Sequence, residues 1–192
     1  MMALFSIMGT ADSTDRQVDL VEEGIDLVVR LGDPGDHASL IGRRIGTQRA
    51  IICAAPAYLN RHGRPAFVEE LVNHDCLAFA KDSRPLPWAI SGPDGLVRPF
   101  VIQPRHTVSH GEALRDATAN GLGLAYLSIW LAADDLRSRR RLEVVLIFTP
   151  VEDVPITALW PRSRDLAPKV RVAVDAFVEA FMLTPPWDKK RY

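Results

Sequence analysis

The chain has few cysteines, few aromatic residues and no excess of charge of either sign. Its 192 residues include 2 Cys, 7% aromatic residues and 23 basic against 24 acidic side chains, for a net charge of -1. So few cysteines exclude a disulfide framework, and no paired CxxC spacing indicates a zinc knuckle. Balanced charge argues against a dedicated nucleic-acid-binding domain, which is usually basic. We therefore expect Cys53 and Cys76 to be reduced and buried in a cytoplasmic protein.

Long hydrophobic runs are also missing. The longest, Gly121–Ala133, is shorter than the ~18 residues that a membrane helix needs. The apolar start Met1–Gly9 lacks the basic residues that open a signal peptide. With 47% hydrophobic and 24% charged residues, the composition is that of a globular protein. A chain of this length buries about 70% of its unfolded surface, so it needs no metal or disulfide for stability.

The N-terminal third predicts an alternation of strands and helices. Ala3–Met8 is typical of a buried strand, and Asp12 or Ser13 can cap a helix that runs through Glu23. The β-branched run Asp26–Leu31 predicts the next strand. This order implies a crossover and at least one parallel strand pair. Separate strands are predicted for Leu40–Ile45 and Arg49–Ala54.

The rest of the chain adds a predicted hairpin to further helices and strands. Trp88–Ile90 and Leu96–Ile102 flank the turn Gly92–Gly95, in which Pro presets one dihedral angle and Gly accepts a positive φ. The last predicted helix, Pro168–Phe181, has apolar residues at helical spacing. The other predicted elements are helices at Pro56–His62, Phe67–Leu71, His110–Asn120 and Ile129–Leu136, and strands at Cys76–Phe79, Leu122–Leu127, Leu142–Phe148 and Ile156–Trp160.

The segment around Ser109 allows two interpretations. Ser109 can cap the helix that starts at His110. Alternatively, this helix start, with free N–H groups and the positive end of the helix dipole, faces a cleft and holds an anionic or polar ligand group. A catalytic triad with Glu112 is disfavoured, because sequence neighbours do not face each other on a helix. No G-x-S-x-G elbow is present either.

The remaining motifs favour no cofactor or catalytic chemistry. His106 and His110 have the spacing of helical metal ligands, but His106 precedes the helix and no cysteine or carboxylate completes a set. The glycines of Gly121–Ala125 follow a helix and precede a strand, which is the reverse of a dinucleotide-binding loop. The basic run Arg137–Arg141 is typical of a solvated helix end. The residues alone therefore predict a binding protein of α/β class.

A series of short stretches occurs in a fixed order over residues 15–182. They are Val18–Gly32, Ser39–Ile45, Ala54–Leu59, Gly63–Pro65, His74–Leu77, Gly111–Leu114, Gly121–Ala125 and Pro161–Arg164. Together they resemble the effector-binding, or substrate-binding, domain of LysR-type transcriptional regulators. The resemblance implies a two-lobed α/β fold like that of type 2 periplasmic binding proteins, with a small-molecule inducer bound between the lobes.

The resemblance also implies a division of the chain. Lobe one comprises residues 1–52 and 161–192, and lobe two comprises residues 53–160. Family members begin with a helix-turn-helix domain and a linker helix, to which nothing here corresponds. Because Met1–Gly9 matches the second strand, the first strand and first helix of lobe one are also expected to be missing. We therefore expect an N-terminally truncated chain that binds DNA only through a helix-turn-helix domain of a longer protein.

Site residues and partners follow from the same resemblance. It implies a small-molecule effector, dimers or higher homo-oligomers, and no catalytic residue, metal, cofactor or membrane partner. The helix start and Arg30 favour an anionic effector or an aromatic acid. Ser128 stands where the family usually has proline, which adds a hydroxyl and a backbone N–H. An alternative is a truncated small-molecule binder that does not bind DNA, or a dimerisation partner of full-length paralogues. The predicted effector contacts are Arg30, Leu31, Gly32, Pro56, Ala57, Ser109, His110, Gly111, Leu127 and Ser128.

Overall fold

A computed structural model of the chain describes residues 2–6, 10–14, 20, 24–32, 35, 38–92, 94–138, 141–146, 153–164, 167–182 and 185. The strands are β1 Met2–Ser6, β2 Thr10–Thr14, β3 Leu27–Leu31, β4 Leu40–Ala54, β5 Cys76–Lys81, β6 Arg84–Pro85, β7 Trp88–Ser91, β8 Val97–Phe100, β9 Pro104–Val108, β10 Leu124–Ser128, β11 Glu143–Val144 and β12 Asp153–Pro161. The α-helices are α1 Pro56–His62, α2 Gly111–Ala119, α3 Ile129–Ser138 and α4 Pro168–Met182, and 3-10 helices span Val68–Asn73 and Arg162–Arg164. The predicted α/β class is confirmed.

The chain forms two compact units. The first unit comprises Met1–Gln48 and Val154–Lys189, and the second comprises Arg49–Asp153 with Lys190–Tyr192. The boundaries predicted from the sequence lie near residues 52 and 161 instead. Strand β12 accounts for the difference at the second boundary, because it pairs with β3 from Ile156↔Leu31 to Leu159↔Val28. This pairing makes β12 part of the first unit.

The first unit has an antiparallel arrangement where a parallel crossover was predicted. Its strands follow the order β2-β1-β3-β12, and β1 pairs with β3 in antiparallel register from Met2↔Arg30. The predicted helix start at Asp12 or Ser13 is also wrong, because Thr10–Thr14 pair with β1 as strand β2. Edge strands tolerate polar sequences, since one of their faces and one of their edges can meet water. Residues 15–19 and 21–23 of the predicted helix lie outside the described residues.

Helix α4 builds the main core of the first unit as its spacing predicts. Val170 and Val174 are buried against the sheet, and Phe177 and Phe181 stack on each other at 5.8 Å. The Nζ of Lys169 donates to Oδ2 of buried Asp26 at 2.7 Å, which compensates the charge of that carboxylate. The sheet side of this core consists of Leu27, Ile45, Ile156, Ala158 and Trp160.

Strand β4 is one strand of 15 residues, so the predicted break between Leu40–Ile45 and Arg49–Ala54 is wrong. The two predicted strands left residues 46–48 between them. In the structure, Gly46 allows a close approach of α4: a side chain at this position would have its Cβ 3.0 Å from Cβ of Phe181. The glycine therefore serves helix packing and leaves the strand uninterrupted.

The second unit contains the parallel pairs. β5 pairs in parallel with β10 and with β9, whereas β10 pairs with β4 in antiparallel register. The core next to α1 includes Tyr58, Leu59 and Trp88, and Trp88 stacks on Tyr126 at 6.0 Å. The predicted hairpin is confirmed as β7 and β8, with Gly95 at φ 76° in the turn.

Several element boundaries differ from prediction. The predicted helix Phe67–Leu71 is the 3-10 helix Val68–Asn73. The strand predicted over Leu142–Phe148 is described only as the short β11, and residues 147–150 lie outside the described part. The helix predicted from His110 begins at Gly111.

Both cysteines are free and buried. Cys53 lies opposite Ala125 and Cys76 lies beside Leu124. Because successive strand residues point to opposite faces, the two thiols lie on opposite faces of the sheet. Burial raises the pKa of both thiols, that of Cys76 to about 11. Both side chains are therefore protonated core residues at neutral pH.

Candidate functional site

The parallel strands of the second unit end at one edge of the sheet. Phe79 of β5 pairs with Val108 of β9, and Leu77 pairs with Ala125 of β10. Continuing these registers brings Ala80, Ser109 and Ser128 to the same level. We call the segments at this level, residues 80–81, 109–111 and 127–128, the carboxyl edge. In α/β sheets, ligands bind outside the carboxyl ends of the strands.

Helix α2 begins at the carboxyl edge. His110 occupies the cap position with extended backbone and no side-chain cap hydrogen bond, and Ser109 is exposed. The interpretation of Ser109 as the helix cap is therefore wrong. The first bond of the helix runs from the Leu114 N–H to the His110 carbonyl oxygen at 3.0 Å. The preceding N–H groups have no acceptor within the helix, so they can bind an anionic or polar group.

Side chains next to the helix start set its electrostatics. Nδ1 of His110 lies 3.6 Å from Oε2 of Glu112, and both side chains are more than half exposed. The Glu112 carboxylate interacts with the same positive helix end that would attract an anionic ligand. An anion bound at this end therefore has a histidine and an acidic side chain beside it.

Leu127 and Ser128 lie at the end of β10 but differ in access. Leu127 is 2% exposed and belongs to the packed interior. Ser128 is half-buried, pairs with Ala50 of β4 and directly precedes α3. Because Leu127 is buried, only Ser128 of these two residues can contact a ligand, and it can do so through its hydroxyl.

The structure does not bring Pro56 and Ala57 to the carboxyl edge. Both lie at the start of α1, which follows the last residues of β4, and β4 runs antiparallel to β10. Arg61 of α1 donates to the carbonyl oxygen of Gly121, in the turn before β10, at 3.2 Å. The helix start thus lies near the amino end of β10, whose length separates it from Ser128 by roughly 13 Å.

Arg30, Leu31 and Gly32 lie together at the carboxyl end of β3 in the first unit. Arg30 pairs with Thr157 and Leu31 pairs with Ile156 of β12. The Gly32 N–H donates to the Pro155 carbonyl oxygen at 2.9 Å. Gly32 has φ 88°, a conformation that favours glycine.

Sequence reasoning missed Ala80 and Lys81, which end β5 on the carboxyl edge. Lys81 is exposed, so it adds a cation to this edge. The chain then turns back through Asp82 and Ser83, which have φ 50° and 62°, and pairs with β6. This turn is hard to predict from the sequence because neither of its residues is glycine, although aspartate tolerates a positive φ better than most residues.

Neither a metal centre nor a membrane span is found where the structure can be described. Across those residues, no group of three or more His, Cys, Asp and Glu side chains could hold a metal ion. The described helices are all too short or too polar to cross a bilayer.

Comparisons with known proteins give a consistent result. The family model described as LysR substrate binding domain matches residues 8–182. The chain is 30% identical over 167 residues to the HTH-type transcriptional regulator CrgA of Neisseria meningitidis, covering 87% of this chain and 55% of the relative. It is 30% identical over 174 residues to the HTH-type transcriptional regulator DmlR of Escherichia coli, covering 88% and 54%.

A solved structure extends the likeness to the fold. The regulatory domain of CrgA from Neisseria meningitidis superposes with a TM-score of 0.76 at 30% identity, covering 86% of this chain and 80% of that domain. The chain spans about half the length of the curated relatives it matches. The similarity therefore concerns the regulatory part of those proteins.

Proposed function

The chain belongs to the LysR substrate-binding domain family, and from this premise we propose that it is the effector-sensing domain of a LysR-type transcriptional regulator. The family resemblance and the regulatory-domain fold predicted from the sequence are confirmed. The named relatives are transcriptional regulators, which favours a sensing role over catalysis.

The carboxyl edge of the second unit carries the proposal. The start of α2 presents N–H groups there, with the exposed Ser109 and His110 beside them and Ser128 at the end of β10, which lies across β5 from β9. Such a group of donors suits the carboxylate of a small organic acid. Gly111 contributes its backbone N–H, and Lys81 adds a positive charge. Arg30, Leu31 and Gly32 stay predicted contacts that rest on the family resemblance.

The sensing mechanism is a shift between conformations. An effector moves such an equilibrium only by the difference between its affinities for the two states. In the complete regulator, which we place in the cytoplasm, this shift would change how a helix-turn-helix segment binds DNA. We further propose that the chain forms dimers or higher oligomers, so that a change in one copy is transmitted to the assembly.

A thermal-shift panel tests effector binding and its charge. The panel pairs aromatic and aliphatic carboxylates with their neutral amides. We expect a subset of the carboxylates to raise the Tm, because a ligand at about 100 times its Kd adds about 2.7 kcal/mol of stability. For a chain of this size that corresponds to roughly 5–10 °C. Stabilisation by neutral amides alone would contradict the anionic effector and leave the carboxyl edge to be tested separately.

A further inference from the structure

A polar cluster lies at the edge of the second unit opposite the carboxyl edge. The hydroxyl of Tyr58, on α1, accepts a hydrogen bond from the Asp75 N–H at 2.8 Å and lies 3.3 Å from Nδ1 of His74. The Tyr58 ring stacks on His62 with centroids 4.4 Å apart and planes 13° apart. Tyr58 is 1% exposed, so its hydroxyl has little access to water. The cluster connects α1 to the segment that leads into β5.

The hydrogen-bond directions in this cluster depend on the charge of His74. Because the Tyr58 oxygen accepts from Asp75, its own proton is available to another acceptor. Nδ1 of neutral His74 has the required lone pair, whereas doubly protonated histidine donates from both nitrogens. With His74 protonated, the contact survives only if the Tyr58 proton turns away and loses its acceptor. A buried hydroxyl without a partner is unfavourable.

Charged groups on every neighbouring element act on His74. Burial lowers the pKa of His74, and the nearby His62 lowers it further. Glu70 and Asp75 raise this pKa, but the net shift is downward. Asp75 is itself paired, since Nη1 of Arg105 on β9 lies 2.9 Å from its Oδ1. Burial is also the largest cause that raises the pKa of Tyr58, so its hydroxyl stays a donor. Neutral His74 is therefore the favoured form in the folded second unit.

We propose that Tyr58, His62 and His74 form an acid-sensitive latch, in which protonation of His74 releases Tyr58 and loosens α1 from the segment that leads into β5. The latch is separate from the proposed effector contacts, because it lies at the amino ends of β5 and β10. Protonation of His74 would therefore change how firmly α1, the helix that directly follows β4, is held. The inference holds whether or not the chain binds an effector.

The direction of the pH effect follows from the sign of the shift. A histidine whose pKa is lower in the folded than in the unfolded chain binds its proton more readily after unfolding. Its contribution to stability is complete above the unfolded pKa of 6.5 and is lost as the pH falls towards the folded value. Each pH unit between the two values changes the unfolding equilibrium constant up to tenfold.

An NMR titration of the unaltered 192-residue chain between pH 8 and 5 tests the latch directly. We expect the His74 ring signals to titrate with a midpoint below 6.5. The Asp75 amide signal should shift with the same midpoint, because its acceptor is Tyr58. A His74 midpoint at or above 6.5, or an Asp75 amide that does not follow His74, would overturn the proposal.

Unfolding measurements separate the latch from a general acid effect. We expect His74→Asn, which offers an uncharged hydrogen-bonding group, to lose less stability between pH 7.5 and 5 than the unaltered chain does. The matched control is His106→Asn, since His106 is an exposed residue of β9 outside the cluster. It should keep the full pH dependence. Equal pH dependence in all three proteins would contradict the latch.

Discussion

Replacing Gly123 by alanine is expected to destabilise the second unit by about 3 kcal/mol. A Cβ at Gly123 would overlap the backbone carbonyl oxygen of Asp75 and lie 3.0 Å from its carbonyl carbon. That oxygen cannot move freely, because it accepts the Leu124 N–H at 2.8 Å. The Asp75 N–H is held in turn by the Tyr58 hydroxyl. The clash is therefore with backbone fixed on both sides, and urea unfolding followed by circular dichroism measures its cost.

The same substitution at Gly111 is the matched control. A Cβ at Gly111 would meet only the side-chain atom Cδ2 of Leu131, at 3.3 Å. Gly111 has no positive φ and begins α2, where alanine is a better helix former than glycine. We expect Gly111→Ala to stay within about 1 kcal/mol of the unaltered chain. Similar stabilities for the two variants would contradict the close approach of β10 to Asp75.

Replacing Ser109 by glutamate is expected to weaken the binding of an anionic effector about tenfold, which corresponds to about 1.4 kcal/mol. The new carboxylate would stand before the first residue of α2, where it repels the ligand and competes for the same N–H groups. Ser109 is exposed, so the side chain can change without disturbing the core. Isothermal titration with the strongest acid of the thermal-shift panel measures the change in affinity.

Ala57→Glu provides the comparison at the other edge. Ala57 is also exposed and lies in the first turn of α1, so the variant adds the same charge close to the start of a helix. We expect its effector affinity to match that of the unaltered chain within about twofold, because the length of β10 separates the two edges by roughly 13 Å. A loss as large as that of Ser109→Glu would mean that Pro56 and Ala57 contact the effector after all.

Local sequence patterns predicted the elements that local interactions determine. The Pro-Asp-Gly sequence before Leu96 is typical of a turn, and the structure has the β7–β8 hairpin there with Gly95 at φ 76°. The apolar spacing of Val170, Val174 and Phe177 predicts the buried face of α4. These patterns depend on neighbours a few residues away, so they can be interpreted from one sequence.

Pairings between distant strands could not be predicted in this way. Thr10–Thr14 resembles a helix start, yet its backbone bonds go to β1. A break was predicted between Ile45 and Arg49, yet β4 is continuous there and Gly46 makes room for Phe181. Pro56 and Ala57 were predicted as effector contacts from the family resemblance, and the antiparallel pairing of β4 with β10 places them away from the carboxyl edge. The wrong helix start and the wrong strand break both concern contacts made after the chain has folded back on itself.

Amide hydrogen exchange of the chain, with and without the best acid from the panel, tests effector binding at the carboxyl edge most directly. We expect slower exchange in peptides that cover Gly111–Ala113 and Ser128, because a ligand that accepts from the start of α2 protects those N–H groups. Peptides that cover Ala57–Leu59 should be unchanged. Protection at the start of α1 with none at the start of α2 would contradict the account.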